Sequence, residues 1–399
     1  MTAGSTQSTV PSKPAVDLAA LARDRLDRLR AGLAEQPYDA VVLTEPESVL
    51  YATGYRSMPG QVFRTHRMAA LVTATDLWLV APAADVPAAG ATAVPVERIS
   101  PFGRFYVESG SPDPITEVAD RHDGLAGALA AVVAALPSSA RLAVETRDVP
   151  ADVLAACGDV VEDGAGLLFT VRSRKLPAEV ELLAYAAQLA EAGIDAALAA
   201  AGPGTTEAEL AAVVAGTMVA GGGDPRFVVA LTGERSALAD AVPSARAWRP
   251  GETARFDVGC VVDGYWSDIG RTAVLGEPSA RQRDVYAAVK AGEDEQLAAA
   301  RPGLPAAELF GIGLDAVANG VPRYRRQHCG HGIGLSIYEP PIVAPGVDTE
   351  LAPGMTFCFE TPYYELGWGG MMVEDAVVVT DDGVDLLTRS SRDLRVVTT

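Results

Sequence analysis

Hydrophobic positions in the first part of the chain recur with two different periods. Helical spacing places Leu18, Leu21, Leu26 and Leu29 on one face, whereas short apolar runs between polar residues are typical of buried strands. The predicted helices are Val16–Gln36, Glu45–Thr53 and Asp113–Leu136, and the predicted strands are Asp39–Leu43, Met68–Thr73, Leu77–Ala81 and Arg141–Glu145. This alternation of helices and strands predicts an α/β domain of about 150 residues.

The second part of the chain has a different order of elements. The composition changes from apolar to basic near Phe169–Pro177, where we place a domain boundary. Beyond it the predicted helices are Ala178–Ala201, Thr206–Ala220, Ser279–Ala300 and Leu304–Asn319, and strand-like segments follow each pair. This repeated order favours an α+β domain with an internal pseudo-twofold duplication. We expect a flexible tail at residues 1–14, an N-terminal α/β domain at 15–170 and the α+β domain at 171–399.

Composition and charge narrow the class of protein. The 399-residue chain has a net charge of −20, which argues against nucleic acid and anionic membranes as partners, because their phosphates are bound by Lys and Arg. It has no apolar run of about 18 residues that would span a membrane, and the polar start of the chain lacks the apolar core of a signal peptide. The four cysteines are widely spaced, so we expect a cytoplasmic protein without disulfides.

Two carboxylates in one apolar stretch are the first sign of chemistry. Asp257 and Asp268 flank an Asp263-Gly264 dipeptide, which predicts a hairpin turn because glycine adopts a positive φ at little cost. The two strands of this hairpin would bring Asp257 and Asp268 together near its open end. Two acids in an apolar setting repel each other and lose hydration, so a divalent cation is the expected compensation.

Three further candidate ligands lie downstream of the hairpin. His331 stands in the run His328-Cys-Gly-His-Gly-Ile-Gly-Leu335, while Glu360 and Glu374 adjoin apolar, strand-like segments. Taken singly, a histidine is more often a satisfied core residue, and a strand carboxylate more often forms a salt bridge. Taken together, Asp257, Asp268, His331, Glu360 and Glu374 suit two divalent metal ions, such as manganese, cobalt, iron or zinc, better than a structural zinc site.

These motifs resemble the pita-bread metallopeptidases of family M24, which include prolidase, aminopeptidase P, methionine aminopeptidase and the metal-free creatinase. The likeness runs from about Leu18 to the C-terminus and includes Tyr51-Ala-Thr-Gly54 and Gly202-Pro-Gly-Thr-Thr-Glu207. The five candidate ligands match the family's metal ligands in identity, order and spacing. The resemblance implies a creatinase-like N-terminal α/β domain, a pita-bread α+β catalytic domain and a homodimer.

Two positions depart from the family pattern. Asp240, in Ser236-Ala-Leu-Ala-Asp240, and Tyr338, in Gly334-Leu-Ser-Ile-Tyr-Glu339, stand where these peptidases usually carry histidines that contact the substrate carbonyl and the developing oxyanion. Tyr338 can still donate a hydrogen bond to an oxyanion. An ionised Asp240 can instead accept one from a substrate ammonium or guanidinium group, or act as a base. We therefore expect both residues to contact the substrate and to take part in catalysis.

The resemblance also assigns roles beyond metal binding. It implies that Glu360 is both ligand and proton shuttle, with Arg271 and Thr272 as supports beside Asp268. For Arg271, a salt bridge in the core is an equal alternative. His66 and Arg67 are candidate substrate contacts, because the first domain of this family often reaches the active site of a neighbouring subunit.

Three functions remain open within what the resemblance implies. The first is a hydrolase of the Xaa-Pro dipeptidase or aminopeptidase P type, acting on a small peptide. The second is a family member that hydrolyses or cleaves a small amide, amidine or related metabolite, which the absence of both histidines favours. The third is a non-catalytic metal-binding relative, which the retention of five ligands disfavours.

Overall fold

The computed structural model describes residues 10–63, 65–92, 94–106, 122–145, 149–158 and 160–398. The chain forms two compact units. Residues 16–172 make the N-terminal unit, and residues 173–399, with the segment up to Ala15, make the larger catalytic unit. The chain therefore leaves the catalytic unit after Ala15 and returns to it at Ser173, inside the segment where the composition changes.

The N-terminal unit is built on a mixed sheet covered by helices. Its strands are β1 Ala40–Leu43, β2 Ala69–Thr73, β3 Leu77–Pro82, β4 Ile99–Phe102, β5 Leu142–Val144 and β6 Val160–Asp163. Its helices are α1 Leu18–Leu33, α2 Pro46–Thr53, α3 Met58–Val62, α4 Val86–Ala89, α5 Leu125–Val133, α6 Ala151–Ala156 and α7 Ala165–Ser173, with a 3₁₀ turn at Val96–Arg98. The strand order is β4-β3-β2-β1-β5-β6, in which β1 runs antiparallel to β2 and parallel to β5. Residues of α5 pack on the central strands and form the core of this unit.

The helix predicted at Asp113–Leu136 is wrong at residues 122–124, which the structure describes and which are not helical. Residues 113–121 lie outside the described residues, and the helix begins only at Leu125, after Gly124 in an extended conformation. His122 instead forms a bridge with Phe102 beside β4. Glycine disfavours the interior of a helix by about 1 kcal/mol relative to alanine, so Gly124 is a natural limit for α5.

The catalytic unit is a larger, mostly antiparallel sheet with two helix pairs. Its helices are α8 Pro177–Ala200, α9 Glu207–Ala220, α10 Ala280–Ala299 and α11 Ala306–Gly320. Its strands are β7 Asp224–Thr232, β8 Thr253–Val262, β9 Tyr265–Trp266, β10 Ile269–Leu275, β11 Gly330–Gly332, β12 Glu339–Ile342, β13 Thr356–Glu360, β14 Tyr363–Glu365, β15 Gly369–Met371, β16 Glu374–Val379, β17 Val384–Leu386 and β18 Arg395–Val397. The main strand order is β12-β11-β13-β16-β10-β8-β7. Helix α8 packs on α9 and α10 packs on α11, so the helix pair occurs twice.

Local signals in the sequence explain how several of these elements begin. Thr206 with Glu209, and Ser279 with Gln282, form reciprocal capping boxes that satisfy free N–H groups at the starts of α9 and α10. Strand β7 was not predicted, because the hairpin was expected directly after the triple glycine that ends α9. It pairs antiparallel with β8 along most of its length.

The predicted hairpin turn is confirmed, but the position of its two acids is not. Asp263 and Gly264 both have positive φ, 49° and 98°, as the two central residues of a type I′ turn require. The paired strands extend from this turn to the Thr253–Val274 pair, with Asp257 opposite Gly270. Asp257 and Asp268 therefore lie midway along the hairpin and not near its open end.

Two other segments bear on expectations from the sequence. From Val10 onward, the expected flexible tail is held on the catalytic unit: the Tyr185 hydroxyl donates to the Pro11 carbonyl over 3.3 Å, and Lys13 forms an ion pair with Asp263 over 2.7 Å. Among the described residues, α8 is the one helix long and apolar enough to match a membrane span, yet 72% of that stretch is buried inside the protein.

Candidate metal centre

The register of the sheet aligns three acids across four neighbouring strands. Asp257 on β8 pairs with Gly270 on β10, Gly270 pairs with Glu374 on β16, and Glu374 pairs with Glu360 on β13. Directly opposed residues project from the same face of a sheet, so the three carboxylates share one face. A methyl group at Gly270 would lie 2.6 Å from Met372 Cγ and 3.0 Å from Glu374 Cβ. The glycine therefore keeps the middle of this acidic row free of a side chain.

Asp268 and His331 complete the group on this face. His331 lies opposite Cys358 on β13, two residues before Glu360, and its Nε2 is 3.5 Å from Asp268 Oδ2. Its other ring nitrogen, Nδ1, is 3.0 Å from the Gly332 carbonyl oxygen, which holds the ring in this orientation. Ligand atoms of Asp268, His331 and Glu374 all lie within 4.8 Å of one another, close enough to share an ion.

The unsatisfied polar atoms of this group test its fit to a cation. Asp268 Oδ1, His331 Nε2 and Glu374 Oε2 are buried and have no hydrogen-bond partner among the described residues. Buried polar atoms are nearly always paired, because leaving one unpaired costs about 1–3 kcal/mol. Three such atoms come from separate segments of the chain, and carboxylate oxygens with an imidazole nitrogen are donors that divalent metals accept. The residues present therefore fit a divalent metal ion.

The acids at the two ends of the row, Asp257 and Glu360, each pair with an arginine. Asp257 Oδ2 accepts a hydrogen bond from Arg255 Nη1 over 2.9 Å, and Glu360 Oε2 accepts one from Arg326 Nη2 over 3.3 Å. Both guanidinium groups lie over the ring of Tyr364, with their Cζ atoms 5.2 and 5.6 Å from its centre. The Tyr364 ring is thus flanked by two arginines that belong to two different acids.

Sequence reasoning did not identify Arg255, Arg326 or Tyr364 as part of the site. Arg255 stands in an apolar strand two residues before Asp257, which is a signal that a buried cation accompanies the acid. Arg326 is 34 positions from its partner Glu360, and no spacing in the sequence connects the two residues. On the other side of Glu360, His328 Nδ1 lies 3.3 Å from Oε1.

Burial without a bound cation shifts the titration of the whole group. It raises the pKa of Glu360 to about 7, although the Arg326 guanidinium opposes the shift. Burial and the neighbouring carboxylates raise the pKa of Asp268 and Glu374 well above their usual range. Burial lowers the pKa of His331, so its imidazole is neutral at pH 7, the form that binds metals.

The two residues that depart from the family pattern both lie near this group. The ring of Tyr338 stacks on His331, with 3.7 Å between ring centres, and about half of the side chain is exposed. Burial and the surrounding carboxylates raise the pKa of Tyr338, so its hydroxyl stays protonated and can donate. Asp240 is exposed in the turn after the 3₁₀ segment Gly233–Ala237, and its charge helps to raise the pKa of Asp257, after burial as the main cause.

The expected supporting residues bind the backbone rather than the ligand atoms. Arg271 Nη1 donates to the carbonyl of Glu374 over 2.7 Å, while its Nη2 forms ion pairs with Glu191 and Asp375. Thr272 Oγ1 donates to the carbonyl of Met372 over 2.8 Å. Both residues thereby fix the segment that leads into Glu374.

His66 and Arg67 belong to the N-terminal unit. His66 Nε2 lies 2.7 Å from Asp85 Oδ2, while the hydroxyls of Tyr55 and Ser57 donate to Asp85 Oδ1, each over 2.6 Å. Asp85 thus fixes the segment that carries His66, and Arg67 is exposed. Their contact with substrate stays a prediction.

Comparison with known proteins identifies the family. The model of metallopeptidase family M24 matches residues 181–381, just over half of the chain, and the model of the creatinase/prolidase N-terminal domain matches residues 25–174. The chain belongs to metallopeptidase family M24. The expected fold, a creatinase-like N-terminal domain followed by a pita-bread domain, is confirmed, and the protein is a metal-dependent hydrolase with divalent metal ions as cofactors.

Named members of family M24 resemble the chain over nearly its full length. The Xaa-Pro dipeptidase of Pyrococcus furiosus is 27% identical over 376 residues, covering 93% of this chain and 99% of its own. The solved structure of an Xaa-Pro dipeptidase from Bacillus anthracis is 26% identical, has a TM-score of 0.78, and covers 94% of this chain and 99% of its own. That of dipeptidase PepE from Mycobacterium ulcerans is 27% identical, has a TM-score of 0.77, and covers 96% and 100%.

Removing the metal should make stability depend on pH in a defined direction. A carboxyl group whose pKa is raised by folding stabilises the fold while protonated, and this stability is lost as the pH rises through the folded-state pKa, about 7 for Glu360. We expect metal-free protein to gain about 1 kcal/mol from Glu360 alone between pH 7.5 and pH 6. Thermal unfolding of chelator-treated protein would show this as a higher melting temperature at pH 6.

Two comparisons make this test specific. Protein loaded with Mn²⁺ should lack the increase, because the carboxylates are then ionised and bound at both pH values. Glu360→Gln should reduce it in the metal-free state. Metal-free protein that melts at a lower temperature at pH 6 than at pH 7.5 would contradict the expected shift.

Proposed function

We propose that this protein is a dinuclear-metal hydrolase of the Xaa-Pro dipeptidase type, which cleaves the amide bond of a small peptide. The observation that carries the proposal is that Asp268, His331 and Glu374 have ligand atoms within 4.8 Å of one another, three of them unsatisfied, beside a row of acids that includes Asp257 and Glu360. The full-length similarity to proteins named Xaa-Pro dipeptidase supports the same substrate class.

In this proposal, Asp257, Asp268, His331, Glu360 and Glu374 hold two divalent ions, and manganese suits their oxygen-rich set of donors. When bound, such ions supply Lewis acidity and lower the pKa of water. The other contributions come from the side chains of the chain itself.

The chain supplies proton transfer and stabilisation of negative charge. As water attacks the scissile carbonyl carbon, the Glu360 carboxylate takes its proton and later delivers it to the leaving nitrogen when the C–N bond breaks. Arg326 and His328 lie 3.3 Å from the two oxygens of Glu360 and orient the group. The Tyr338 hydroxyl donates a hydrogen bond to the oxygen that becomes negative.

Asp240 is proposed to bind the α-ammonium group of the substrate. It is exposed, and its charge acts on Asp257, so it lies within electrostatic range of the candidate metal ligands. In a dipeptide only one carbon separates the α-amino nitrogen from the scissile carbonyl group. An acid beside the metal group is therefore suitably placed to hold the ammonium while the adjacent carbonyl reacts.

A second candidate function is cleavage of a small non-peptide amide or amidine. Two observations favour it: an acid occupies position 240, and the tyrosine at position 338 stacks on His331 where a second histidine would be usual. An Asp240 carboxylate would bind an amidinium group as readily as an α-ammonium group.

The main experiment removes and restores the metal. Purified protein, stripped with chelator and reloaded with Mn²⁺, should hydrolyse Xaa-Pro dipeptides, and activity should disappear on renewed chelation. Glu360→Gln should lower kcat by about 10² or more, because it removes the proton carrier. The matched control is Glu365→Gln, at a partly exposed acid on the neighbouring β14 that pairs with Arg281.

Hydrolysis is measured as free proline with an amino-acid assay, and bound metal is determined on the same sample. Two equivalents of Mn²⁺ without turnover of any Xaa-Pro dipeptide would reject the peptidase proposal. Activity of the same loaded sample on small amides or amidines would establish the second candidate.

Asp240→Asn tests the recognition of the ammonium group. We expect KM for a free dipeptide to increase about tenfold, because a charged contact worth about 1.4 kcal/mol is lost. The value of kcat should change much less, since the group does not move protons in the proposed reaction. Glu234→Gln, at an exposed acid of the 3₁₀ segment that precedes Asp240, is the control. An unchanged KM would exclude this role for Asp240.

We also propose that the protein is a cytoplasmic homodimer. Its four cysteines are all free thiols, which fits a reducing compartment.

An exposed apolar surface supports the dimer. In the N-terminal unit, Met58, Val62 and Phe63 are 70%, 63% and 59% exposed around α3, and association would cover them. Light scattering should give about twice the chain mass of 41.4 kDa. Phe63→Glu should shift the mass toward the monomer, and a monomeric wild type would reject the dimer.

A further inference from the structure

Arg255 is a buried cation whose donors are all engaged. Its side chain is fully buried, so every N–H group must find an acceptor within the protein. Nε donates to the carbonyl of Ser236 over 2.9 Å, and Nη2 donates to the carbonyls of Leu238 and Ala239 over 2.9 and 2.7 Å. Nη1 donates to Asp257 Oδ2 over 2.9 Å and faces Met372 Sδ at 3.9 Å. One guanidinium therefore joins a candidate metal ligand to three carbonyls of a single loop.

That loop carries Asp240. We define the rim loop as residues 236–244, which begin at the end of the 3₁₀ turn that follows β7. Its first half is fixed by Arg255, up to the residue immediately before Asp240. Its far end is fixed by buried Glu207, whose Oε2 accepts from the backbone N–H and the hydroxyl of Ser244 over 2.9 and 2.7 Å. Asp240 is exposed between these two anchors, so its position depends on both of them.

The two arginines that hold the rim loop, Arg235 and Arg255, differ in their contacts with the metal centre. Arg235 pairs with Glu207 over 3.0 Å and donates to the carbonyl of Val242 over 3.0 Å, so it holds the rim loop without touching any candidate metal ligand. Arg255 holds the same loop while it bonds directly to Asp257. Of these two arginines, Arg255 is the one that contacts both a candidate metal ligand and the loop.

We propose that Arg255 is a positioning residue that couples the rim loop to the metal centre through Asp257. By holding Oδ2, it orients the carboxylate and leaves Oδ1 for the ion. By holding the three carbonyls, it sets the place of Asp240 relative to that ion. Occupation of the metal centre therefore orders the rim loop, and by linkage an ordered rim loop favours occupation.

This coupling fixes which bond of the substrate is cleaved. When Asp240 binds the α-ammonium group, the bond after the first residue is the one placed at the metal centre, and Arg255 is the group that connects the two sites. This part of the inference rests on the proposed function. The coupling between metal and loop does not, and it can be measured without substrate.

The first measurement is hydrogen–deuterium exchange of the rim loop in full-length protein, with and without Mn²⁺. In the wild type, Mn²⁺ should slow exchange of the loop amides by about fivefold or more. In Arg255→Met and Arg255→Lys, saturating Mn²⁺ should leave loop exchange nearly unchanged, because neither side chain reproduces the planar fork that holds the carbonyls. In the matched control Arg235→Gln, the loop should exchange faster overall but keep its response to Mn²⁺.

The second measurement is Mn²⁺ affinity by calorimetry, which separates positioning from a purely structural role. Arg255→Met should weaken binding by about tenfold or more, since residues that orient metal ligands have effects of this size. Arg255→Lys keeps a cation beside Asp257 and should recover most of the affinity while the loop response stays lost. If the methionine variant does not fold, the lysine variant alone decides the loop response.

The outcomes are distinct. Retention of the Mn²⁺ response in both Arg255 variants, or its equal loss in Arg235→Gln, would overturn the coupling. A wild type that binds Mn²⁺ but cleaves no dipeptide would reject the proposed peptidase function and leave the coupling intact if the loop still responds. A wild type that binds no Mn²⁺ would overturn both.

Discussion

The crowding of acids on one face of a single sheet is the constraint on which the catalytic unit depends. Asp257, Glu374 and Glu360 are aligned by backbone pairing across β8, β10, β16 and β13, with the side-chain-free Gly270 between the first two. The strands cannot slip to relieve this repulsion, because a shift of one residue would turn every buried side chain to the opposite face. The repulsion can therefore be relieved only by protons, by arginine or by metal ions. The structure supplies arginine at both ends of the row and leaves unsatisfied atoms at its centre.

Behind the acidic row, the opposite face of the same strands carries a network of ion pairs. Asp375 follows Glu374 and so projects to the other side, where it bonds to Arg271 and Arg392 over 2.6 Å each. Arg271 also pairs with Glu191 on α8. Removal of one member of a buried ion-pair network costs about 3–5 kcal/mol. This network therefore fixes the position of Glu374 from behind, through Asp375 and through the Arg271 bond to the Glu374 carbonyl.

The sequence indicated the chemistry of the site more reliably than its geometry. Acids in apolar strands are conspicuous, and an Asp-Gly pair between such strands predicts its own turn from backbone conformation alone. The register, however, depends on contacts between distant segments, and no local signal shows that Gly270 faces both Asp257 and Glu374. The same limit explains Arg326, a loop residue whose partner Glu360 lies far along the chain on β13. Strand β7 was missed because it follows three glycines that were interpreted only as the end of α9.

The charge of the site provides an independent argument for two metal ions and for a short substrate. Asp240, Asp257, Asp268, Glu360 and Glu374 oppose only Arg255 and Arg326, which leaves a charge of −3 when all are ionised and His331 is neutral. One divalent ion would leave the site negative, whereas two would make it positive by one unit. A positive centre attracts the carboxylate of a dipeptide, while the exposed Asp240 attracts its ammonium group. Both attractions act on one molecule only when its two charged ends are as close together as they are in a dipeptide, and a longer peptide would have to leave one of them unsatisfied.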